Sequence, residues 1–520
     1  MAMWERVIWV LLVSGLYLML CAYCMWRWRR HHHRSDGDNA FADTSASVLV
    51  AYASQSGSAL ALATSSAKAL QSAGPVRVLP LDRVDGDVLA ETQHAFFVAS
   101  TYGEGEPPDN GNRFAQKYFK KQSAQFSHLK FAVLALGDSA YQHFCAFGHM
   151  LHSGMADHGA IAAFDTLELD GSNAGTQSEI MQRWYRQLAH FGDDETSISE
   201  FIPAVAEYQS WRLDYRKVVN SGSPGEPLVY LSLLPPTNQN ELAEQWQAGD
   251  IAEIIPFNSV KRCGEVAAQL GFDLNAELEL DGERITLGAE LARRDLAKIA
   301  RADVANLALE GLAGWLAQLP LLIKREYSIA SVPHCGSLDL LVRVQCTDGV
   351  PGVASNCLGR HLAVGDTVSL HIRSNPLFHS PTVSRPLILI GNGSGFAGLR
   401  AHLQERVHAG CKNNWLIYGE RSPDADRIFS HELNEWQNKG YLPHIDLTFS
   451  RCSRQPAYVQ DAILANADEL KAWLAMGAAI YVCGSRNGMA ESVDQQLRAL
   501  MGNNAIDDLS RSGLYRRDVY

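Results

Sequence analysis

The stretch VLVAYASQSGSA, residues 48–59, is the clearest indication of the fold. Its first half, Val48–Ala53, is an apolar run of strand length, and its second half is a loop of small polar residues. Similar loops follow the apolar runs Ala95–Ser100 and Phe131–Leu136, with helical stretches between them. Strands that alternate with helices predict a doubly wound parallel sheet, covered by helices on both faces, over residues 48–191.

The three loops that follow these strands are expected to form one ligand site. Carboxyl ends of parallel strands meet at the same edge of a sheet, where open α/β sheets bind ligands. The serines and backbone N–H groups of the first loop suit a phosphate. Tyr102 and Tyr141, in the other two loops, can stack on a flat ring system. Each feature alone is weak, because Ser/Gly turns are common and each tyrosine can equally be an ordinary surface or core residue.

The second half of the chain has two further patterns. Four apolar runs predict an antiparallel β-barrel, interrupted by a helix-rich insert at about 258–318: Leu228–Leu233, Asp250–Ile255, Leu338–Gln345 and Thr367–Ile372. From Pro386 the alternation of strands and helices returns and predicts a second nucleotide-binding sheet with the strands Leu387–Ile390, Trp415–Tyr418, Ile445–Phe449 and Ile480–Cys483.

Two segments of this half carry candidate binding residues. REYSIAS, residues 325–331, reads as a strand in which Arg325 neutralises a pyrophosphate, Tyr327 stacks on a ring and Ser328 offers a hydroxyl. Taken in isolation it is only an alternating strand with one buried tyrosine. GNGSGFA, residues 391–397, lies between a predicted strand and a predicted helix, as a pyrophosphate-binding glycine loop requires.

Together these segments resemble the diflavin reductase family, which includes the sulfite reductase flavoprotein and the NADPH–haemoprotein reductases. The resemblance covers residues 48–520 and implies the cofactors FMN, FAD and NADPH. It implies an FMN phosphate site made of Ser54, Gln55, Ser56, Gly57, Ser58 and Ala59. Around the FMN ring it implies Ser100, Thr101, Tyr102, Gly103, Gly137, Asp138, Tyr141 and Phe144, with Asp170 near the ribityl chain or the ring edge.

The same resemblance assigns the FAD and NADPH sites. The FAD residues are expected to be Arg325, Tyr327, Ser328, Gly352, Val353, Ala354 and Ser355. The nicotinamide dinucleotide is expected at Gly391, Gly393, Ser394 and Gly395, with its 2′-phosphate pocket at Arg421, Ser450, Arg451, Tyr458 and Gln460. Ser328, Cys483 and Asp518 are the expected catalytic residues, and the terminal Tyr520 is expected to cover the FAD ring and move aside for nicotinamide.

Three positions depart from the family pattern. Pro456 stands where the family often has a lysine, so Arg454 is considered as its substitute in the 2′-phosphate pocket. Ser485 stands where an acid usually follows the glycine, and Gly398 where a proline is common. The insert is also shorter than in full-length relatives, which leaves the arrangement of the two flavins and the strictness of NADPH over NADH open.

The first segment is apolar and precedes a basic cluster. Val7 to Trp26 contains no charged residue over about twenty positions, the length needed to cross a bilayer. The basic residues between Arg27 and Arg34 predict that the rest of the chain lies on the cytoplasmic side of an inner membrane. The alternative, a cleaved signal peptide, carries its charge before the apolar run. The sequence therefore predicts a single-pass transmembrane helix.

Composition and length limit the possible partners, the state of the thiols and the number of domains. A formal net charge of -12 argues against a nucleic-acid partner, and the ten scattered cysteines indicate reduced thiols. No metal site is predicted. The length of 520 residues indicates several domains. The expected divisions are an anchor over 1–34, a tether over 35–47, a flavodoxin-like domain over 48–191, a linker over 192–226, an FAD-binding barrel over 227–384 and an NADP-binding α/β domain over 385–520.

The predicted activity is electron transfer from NADPH through FAD and FMN to a separate acceptor, a haem or iron–sulfur protein. One alternative is a membrane-associated reductase of a small acceptor, such as a ferric chelate or a quinone. The other is a non-enzymatic flavin-binding membrane scaffold, for which Pro456 and Ser485 are the only support.

Overall fold

The computed structural model describes residues 46–520 with gaps. The gaps are residues 55–56, 72–73, 103–104, 120–124, 140–141, 172–173, 192–206, 237–245, 281, 297–298, 300–308, 348–349 and 453–455. Among the site residues expected from the sequence, Gln55, Ser56, Gly103 and Tyr141 therefore lie outside the described residues, as does Arg454.

The first sheet has six parallel strands in the order β2-β1-β3-β4-β5, with β6 also paired to β4. Its strands are β1 Val48–Ala53, β2 Val76–Pro80, β3 His94–Ser100, β4 Lys130–Gly137, β5 Ile161–Ala162 and β6 Leu167–Asp170. Its helices are α1 Ser58–Leu70, α2 Gly86–Glu91, α3 Asp109–Tyr118, α4 Ala146–Asp157 and α5 Ala174–Ala189. All six residues of β1 are buried because helices cover both faces, and the strand order is that of flavodoxin-like folds.

The second sheet is antiparallel, in the order β12-β9-β16-β7-β8-β13. The strands of this region are β7 Gln209–Val218, β8 Leu228–Leu234, β9 Ile251–Ile255, β10 Glu277–Leu280, β11 Glu283–Thr286, β12 Arg325–Ser328, β13 Leu338–Arg343, β14 Cys346–Thr347, β15 Val350–Pro351 and β16 Thr367–Arg373. Its helices are α6 Val260–Leu270, α7 Leu287–Arg293, α8 Leu309–Gln318 and α9 Val353–Asn356. Alternating apolar residues from both ends of the sheet form one core.

The third sheet has five parallel strands in the order β19-β18-β17-β20-β21. Its strands are β17 Leu387–Asn392, β18 Asn414–Glu420, β19 His444–Phe449, β20 Ala479–Gly484 and β21 Tyr515–Val519. Its helices are α10 Phe396–His408, α11 Ser430–Asn438, α12 Val459–Ala465, α13 Ala467–Ala475, α14 Glu491–Met501 and α15 Asn503–Arg511. The predicted nucleotide-binding sheet is present, and it gains β21 at its edge, where the chain ends.

Two segments differ from the sequence-based expectation. Strand β7 lies within 192–226, the range expected to be a linker, and it pairs with β8 and β16 inside the barrel. The insert was expected to be helical, but it also contains the antiparallel hairpin of β10 and β11. Its helices and hairpin share a small apolar core of their own. The insert is therefore a separately packed unit and not a simple extension of the barrel.

The expected transmembrane helix and inner-membrane location are corrected. Among the described residues, no helix is both long enough and apolar enough to cross a membrane. The segment Val7 to Trp26, on which the expectation rested, lies outside the described residues. The fold class is therefore α/β, with a flavodoxin-like domain, an antiparallel barrel and an NADP-binding domain.

Candidate functional site

The phosphate loop after β1 is held by its own first residue. Ser54 is buried, its Oγ accepts from the backbone N–H of Ala59 at 3.3 Å, and its own N–H donates to Asn110 Oδ1 at 3.0 Å. Gly57 has φ +86° and precedes α1, and as the N-cap residue it has no side chain that could accept from the first turn, where Ser54 accepts only from the Ala59 N–H. The remaining N–H groups of a helix that begins behind a left-handed glycine fit a phosphate group.

The other two loops lie at the same edge of the sheet. The Thr101 hydroxyl accepts from the Phe147 N–H at 3.2 Å, which ties the loop after β3 to helix α4. Gly137 ends β4, and a Cβ there would lie 2.7 Å from the Cys145 nitrogen and 2.9 Å from the Phe144 ring. Only glycine therefore allows Phe144 to pack so closely. Ser100, Ser58 and Asp138 are half-buried beside these loops.

Asp170 lies at the end of the neighbouring strand β6. Its Oδ1 accepts from the Ser139 N–H at 3.1 Å. The carboxylate therefore holds the loop after β4 in place, and any contact with a bound ring would add to this structural role.

A cleft of about 280 Å³ lies beside β12. Arg325 and Tyr327 line it, together with the turn Gly352, Val353, Ala354 and Ser355, so the cleft brings together six of the seven residues that the sequence assigned to an FAD site. Ser355 Oγ accepts from the Gln345 N–H at 2.9 Å and so fixes the turn. One guanidinium beside a glycine turn and one aromatic ring fits a pyrophosphate joined to a flat ring system.

Three residues that are distant in sequence meet at the end of β12, where Ser328 follows the cleft residue Tyr327. Ser328 Oγ donates to Asp518 Oδ2 at 2.7 Å, and Cys483 Sγ lies 3.8 Å from the same oxygen. Burial raises the pKa of Asp518, and it raises the pKa of the Cys483 thiol well above its ordinary value. The cluster joins the ends of β12, β20 and β21, one from the barrel and two from the third sheet.

The glycine loop after β17 lies against the same strand end. A Cβ at Gly391 or Gly395 would clash with the carbonyl oxygen of Cys483, so both positions require glycine. Gly393 has φ +57°, and its carbonyl oxygen accepts from the Tyr418 hydroxyl at 2.8 Å. Gly398 also lies close to Cys483, because a Cβ at position 398 would lie 3.2 Å from Cys483 Sγ. The loop is therefore shaped for close approach of a ligand backbone.

The expected 2′-phosphate residues lie together at the carboxyl ends of β18 and β19. The N–H of Ser450 donates to the Glu420 carbonyl at 2.9 Å, and the N–H of Arg451 donates to the Arg421 carbonyl at 2.8 Å. Helix α12 starts beside them, since a Cβ at Gly419 would lie 3.0 Å from Val459. This brings the exposed Tyr458 and the adjacent Gln460 to the same edge.

Comparisons with known proteins agree with this layout. Residues 50–184 match the flavodoxin family, and residues 389–495 match the oxidoreductase NAD-binding domain. The chain is 27% identical to the sulfite reductase [NADPH] flavoprotein alpha-component of Vibrio cholerae, over 87% of this chain and 84% of that protein. It is 28% identical to the protein of the same name from Bacillus subtilis, over 88% of this chain and 86% of that protein. This chain belongs to the diflavin reductase family.

In this diflavin reductase the terminal tyrosine lies over the glycine loop. The Tyr520 hydroxyl donates to Ser394 Oγ at 3.2 Å, and its N–H donates to the Gly484 carbonyl at 3.0 Å. The side chain is 56% exposed, so it can move without disrupting the core.

The first and third sheets of the diflavin reductase also contact each other. The Tyr102 hydroxyl donates to the Val519 carbonyl oxygen, and the Arg486 guanidinium lies 4.5 Å from the Tyr102 ring centroid. Asp109 pairs with Arg517, whose Nε donates to Asp109 Oδ2 at 2.6 Å. The loop that is expected to cover FMN therefore lies against the strand that carries Asp518 and that Tyr520 follows.

Several residues of the site carried no recognisable signal in the sequence. Asn110 fixes the phosphate loop, and Asn392 Oδ1 accepts from the Ser485 N–H at 2.9 Å, which fixes the turn after β20. Both side chains act on backbone groups far along the chain. The only available hint was that Asn392 lies inside the glycine loop.

Replacing Gly57 with alanine is expected to weaken FMN binding by about tenfold. A left-handed conformation costs a residue with a Cβ about 1–2 kcal/mol, and the loop would relax away from phosphate. The new Cβ would meet only ordinary contacts, the nearest at 3.5 Å from Asn375 Oδ1, so the effect is on the backbone. The FMN content of the purified protein measures it. Gly222→Ala is the matched control, because Gly222 has φ +84° and no atom within 4 Å; equal FMN loss in both variants would contradict the prediction.

Proposed function

We propose that this diflavin reductase passes electrons from NADPH through FAD and FMN to a haem protein or an iron–sulfur protein. The chain is an NADPH-dependent flavoprotein oxidoreductase that uses FMN, FAD and NADPH, as its two domain matches and its relatives indicate. The acceptor is the finer part of the proposal. It rests on the names of the relatives, which are components of a sulfite reductase.

The observation that carries the proposal is the cluster of Ser328, Cys483 and Asp518. It joins the strand beside the flavin cleft to the two strands beside the glycine loop. A nicotinamide bound at the glycine loop and a flavin bound at the cleft would meet at this cluster. The buried Ser328 hydroxyl and Cys483 thiol, with the half-buried Asp518 carboxyl group, are suited to orient two rings and to limit the access of solvent.

The chemistry itself belongs to the cofactors: nicotinamide supplies a hydride, and the two flavins convert this two-electron donor into a one-electron source. The chain contributes binding and orientation. Arg325 would neutralise the FAD pyrophosphate, and Tyr327 would stack on its ring. Asp518 would stabilise the positive charge that develops on nicotinamide, and Ser328 would keep Asp518 oriented. Tyr520 would leave its position over the glycine loop before nicotinamide stacks.

The alternatives receive less support. A ferric chelate or quinone reductase was motivated by the expected anchor, which is corrected above. A non-enzymatic scaffold was motivated by Pro456 and Ser485. The Ser485 N–H and hydroxyl both have partners, Asn392 Oδ1 at 2.9 Å and the Asn487 carbonyl at 2.9 Å, so this turn is well formed without the usual acid.

The decisive experiment is an anaerobic titration with NADPH, followed through the flavin absorbance. Bleaching of both flavins by about two equivalents of NADPH, followed by reduction of cytochrome c, is the expected result. Bleaching of half the flavin absorbance would show that electrons reach FAD but not FMN. No response in protein that contains both flavins would overturn the proposed function.

Replacing Arg451 with alanine is expected to raise the KM for NADPH by about tenfold and to leave the KM for NADH unchanged. The guanidinium is exposed, so its pairing with the 2′-phosphate is partly screened by water. Steady-state cytochrome c reduction with each nucleotide measures both constants. Lys412→Ala removes an exposed cation from the same domain and should change neither. An equal rise in the KM for NADPH and the KM for NADH would show that Arg451 contacts the part of the nucleotide that both share, and not the 2′-phosphate.

A further inference from the structure

A second cavity, of about 350 Å³, lies apart from the flavin and nicotinamide sites. Its walls are the segment after β2, helix α3 and the end of helix α15. None of its lining residues belongs to the three loops at the FMN edge, to the flavin cleft or to the glycine loop. Its volume falls within the range of small-molecule sites, and its walls come from two different domains.

Positive charge dominates this cavity. Four of its lining side chains are cationic: Arg83, Arg113, Lys117 and Arg511, the last of which also pairs with Asp508 outside the lining. Only two lining residues are acidic, and one of these, Asp85, caps helix α2 by accepting from the Val88 N–H at 3.0 Å. The whole chain has a formal net charge of -12, so a concave surface with excess positive charge runs against its composition. Such a surface favours an anionic ligand.

Two buried polar atoms in the cavity lack a partner within the described part of the chain. They are Asp82 Oδ1 and the hydroxyl of Tyr118, whose residue is 6% exposed. Buried polar atoms in proteins almost always have a hydrogen-bond partner, because a buried atom without one has lost its bond to water and gained nothing in return. Both atoms therefore indicate that a ligand here should carry hydroxyl groups as well as negative charge.

The cavity also bridges the two domains. Arg83 Nη2, from the first domain, donates to the backbone carbonyl of Arg511 at the end of α15 at 3.0 Å. Arg113 and Lys117 are exposed and one helical turn apart on α3, which forms another wall of the cavity. A phosphate between these walls would contact cations from both domains at once, and so would attach one domain to the other.

We propose that this cavity binds a small organic phosphate that carries hydroxyl groups, and that the bound molecule holds the flavodoxin-like domain against the NADP-binding domain. The binding of the organic phosphate does not depend on the proposed redox function. The effect of binding on electron transfer does rest on that function, because a domain held in this position cannot turn its FMN edge toward an external acceptor.

Binding is tested by calorimetric titration of the full-length flavin-loaded protein with glucose 6-phosphate, inorganic phosphate and glucose. Saturating NADP⁺ is present throughout, so that the 2′-phosphate pocket is filled. We expect saturable binding of glucose 6-phosphate with a Kd below about 1 mM, and none of glucose. Binding of inorganic phosphate alone would also support an anion site and would assign the affinity to the phosphate group. Absence of binding by both phosphates overturns the proposal.

Paired variants assign the site. Arg113→Ala with Lys117→Ala should weaken glucose 6-phosphate binding by about tenfold or more, because two charge-assisted contacts are lost. Lys68→Ala with Lys130→Ala removes two exposed cations from the same domain and should leave binding unchanged. All four side chains are exposed, so folding is not at risk. Equal weakening in both double variants would place the binding elsewhere and overturn the proposal.

The effect on domain movement needs a kinetic measurement. Saturating glucose 6-phosphate should slow cytochrome c reduction severalfold, while the rate at which NADPH reduces FAD stays unchanged. The double variant at Arg113 and Lys117 should lose this inhibition. Binding without any change in cytochrome c reduction would overturn the claim that the ligand holds the domains together, and a change in FAD reduction would point to the nicotinamide site instead.

Discussion

Replacing Asp518 with asparagine is expected to slow flavin reduction by NADPH by about 100-fold, the size of effect seen when one charge-stabilising group of a catalytic site is removed. Asparagine keeps an oxygen that can accept from Ser328, whose hydroxyl lies 2.7 Å from Asp518 Oδ2. The substitution therefore removes the negative charge and little else. Anaerobic stopped-flow measurement of the first flavin to bleach gives the rate. Asp424→Asn, an exposed carboxyl group of the same domain, is the matched control.

The pH dependence of flavin reduction in the same variant should distinguish a catalytic role of Asp518 from a structural one. Burial raises the pKa of Asp518, so the wild-type rate should fall as the pH is lowered through this raised value and the carboxylate is protonated. The asparagine variant has no such group and should lack this part of the profile. A parallel profile in both proteins would contradict the assignment of the charge to Asp518.

Stability should change in the opposite direction to activity. A carboxyl group whose pKa is higher in the folded state than in the unfolded state contributes stability at low pH, and this contribution is lost as the pH rises through the folded-state pKa. At neutral pH the wild-type protein therefore carries a partly buried charge that the asparagine variant lacks. We expect the variant to have the higher Tm at neutral pH, and the difference to vanish below about pH 4, where Asp is also protonated in the unfolded chain. A lower Tm at neutral pH would indicate lost packing.

Much of the fold follows from local sequence pattern. Buried parallel strands are continuous apolar runs, so β1, β17 and β20 were predicted to within two residues of their observed ends. Strand β7 was missed because only Trp211 and Leu213 of its ten residues are buried, and its remaining residues are polar or exposed. The hairpin of β10 and β11 had a signal that was not used: Gly282, which has φ +82°, follows an aspartate in the sequence, and Asp-Gly is a dipeptide typical of hairpins.

The site was predictable only where it depends on loops next to strands. The glycine loop and the cleft residues are short contiguous motifs, and such motifs can be identified in a single sequence. The meeting of Ser328 with Asp518, 190 positions apart, depends on how the barrel packs against the third sheet. The contact of Asp109 with Arg517, 408 positions apart, depends on how a third domain docks on both. The periodicity of a sequence contains no information about such contacts. The family resemblance indicated that Ser328 and Asp518 act together, but it gave no indication of the contact between Asp109 and Arg517.

Reversing the charge at Asp109, by Asp109→Arg, is expected to slow FMN reduction by about 100-fold and to leave FAD reduction by NADPH unchanged. The Asp109 and Arg517 side chains are 29% and 19% exposed and form two hydrogen bonds. The reversal places two guanidinium groups together, and a cost of about 3 kcal/mol, the lower end of the range for removing one partner of a buried pair, is enough to depopulate the docked arrangement by this factor. The second phase of flavin bleaching measures the effect.

The control is Asp87→Arg, which reverses an exposed charge of the same domain away from the contact. An unchanged second phase in Asp109→Arg would show that the FMN domain reaches FAD without this ion pair. A slowed first phase would show that the variant disturbs the nicotinamide site instead.

Asp518 and Arg517 are neighbours on β21, and successive side chains of a strand point to opposite faces. One face of this short strand carries Asp518 toward Ser328 and Cys483, and the other carries Arg517 toward the FMN domain. The two variants should therefore fail at different steps: Asp518→Asn before FAD is reduced, and Asp109→Arg after it. If both variants slowed the same phase, β21 would act as one structural unit. Separate phases would mean that the last strand of the chain positions both electron-transfer steps, one on each face.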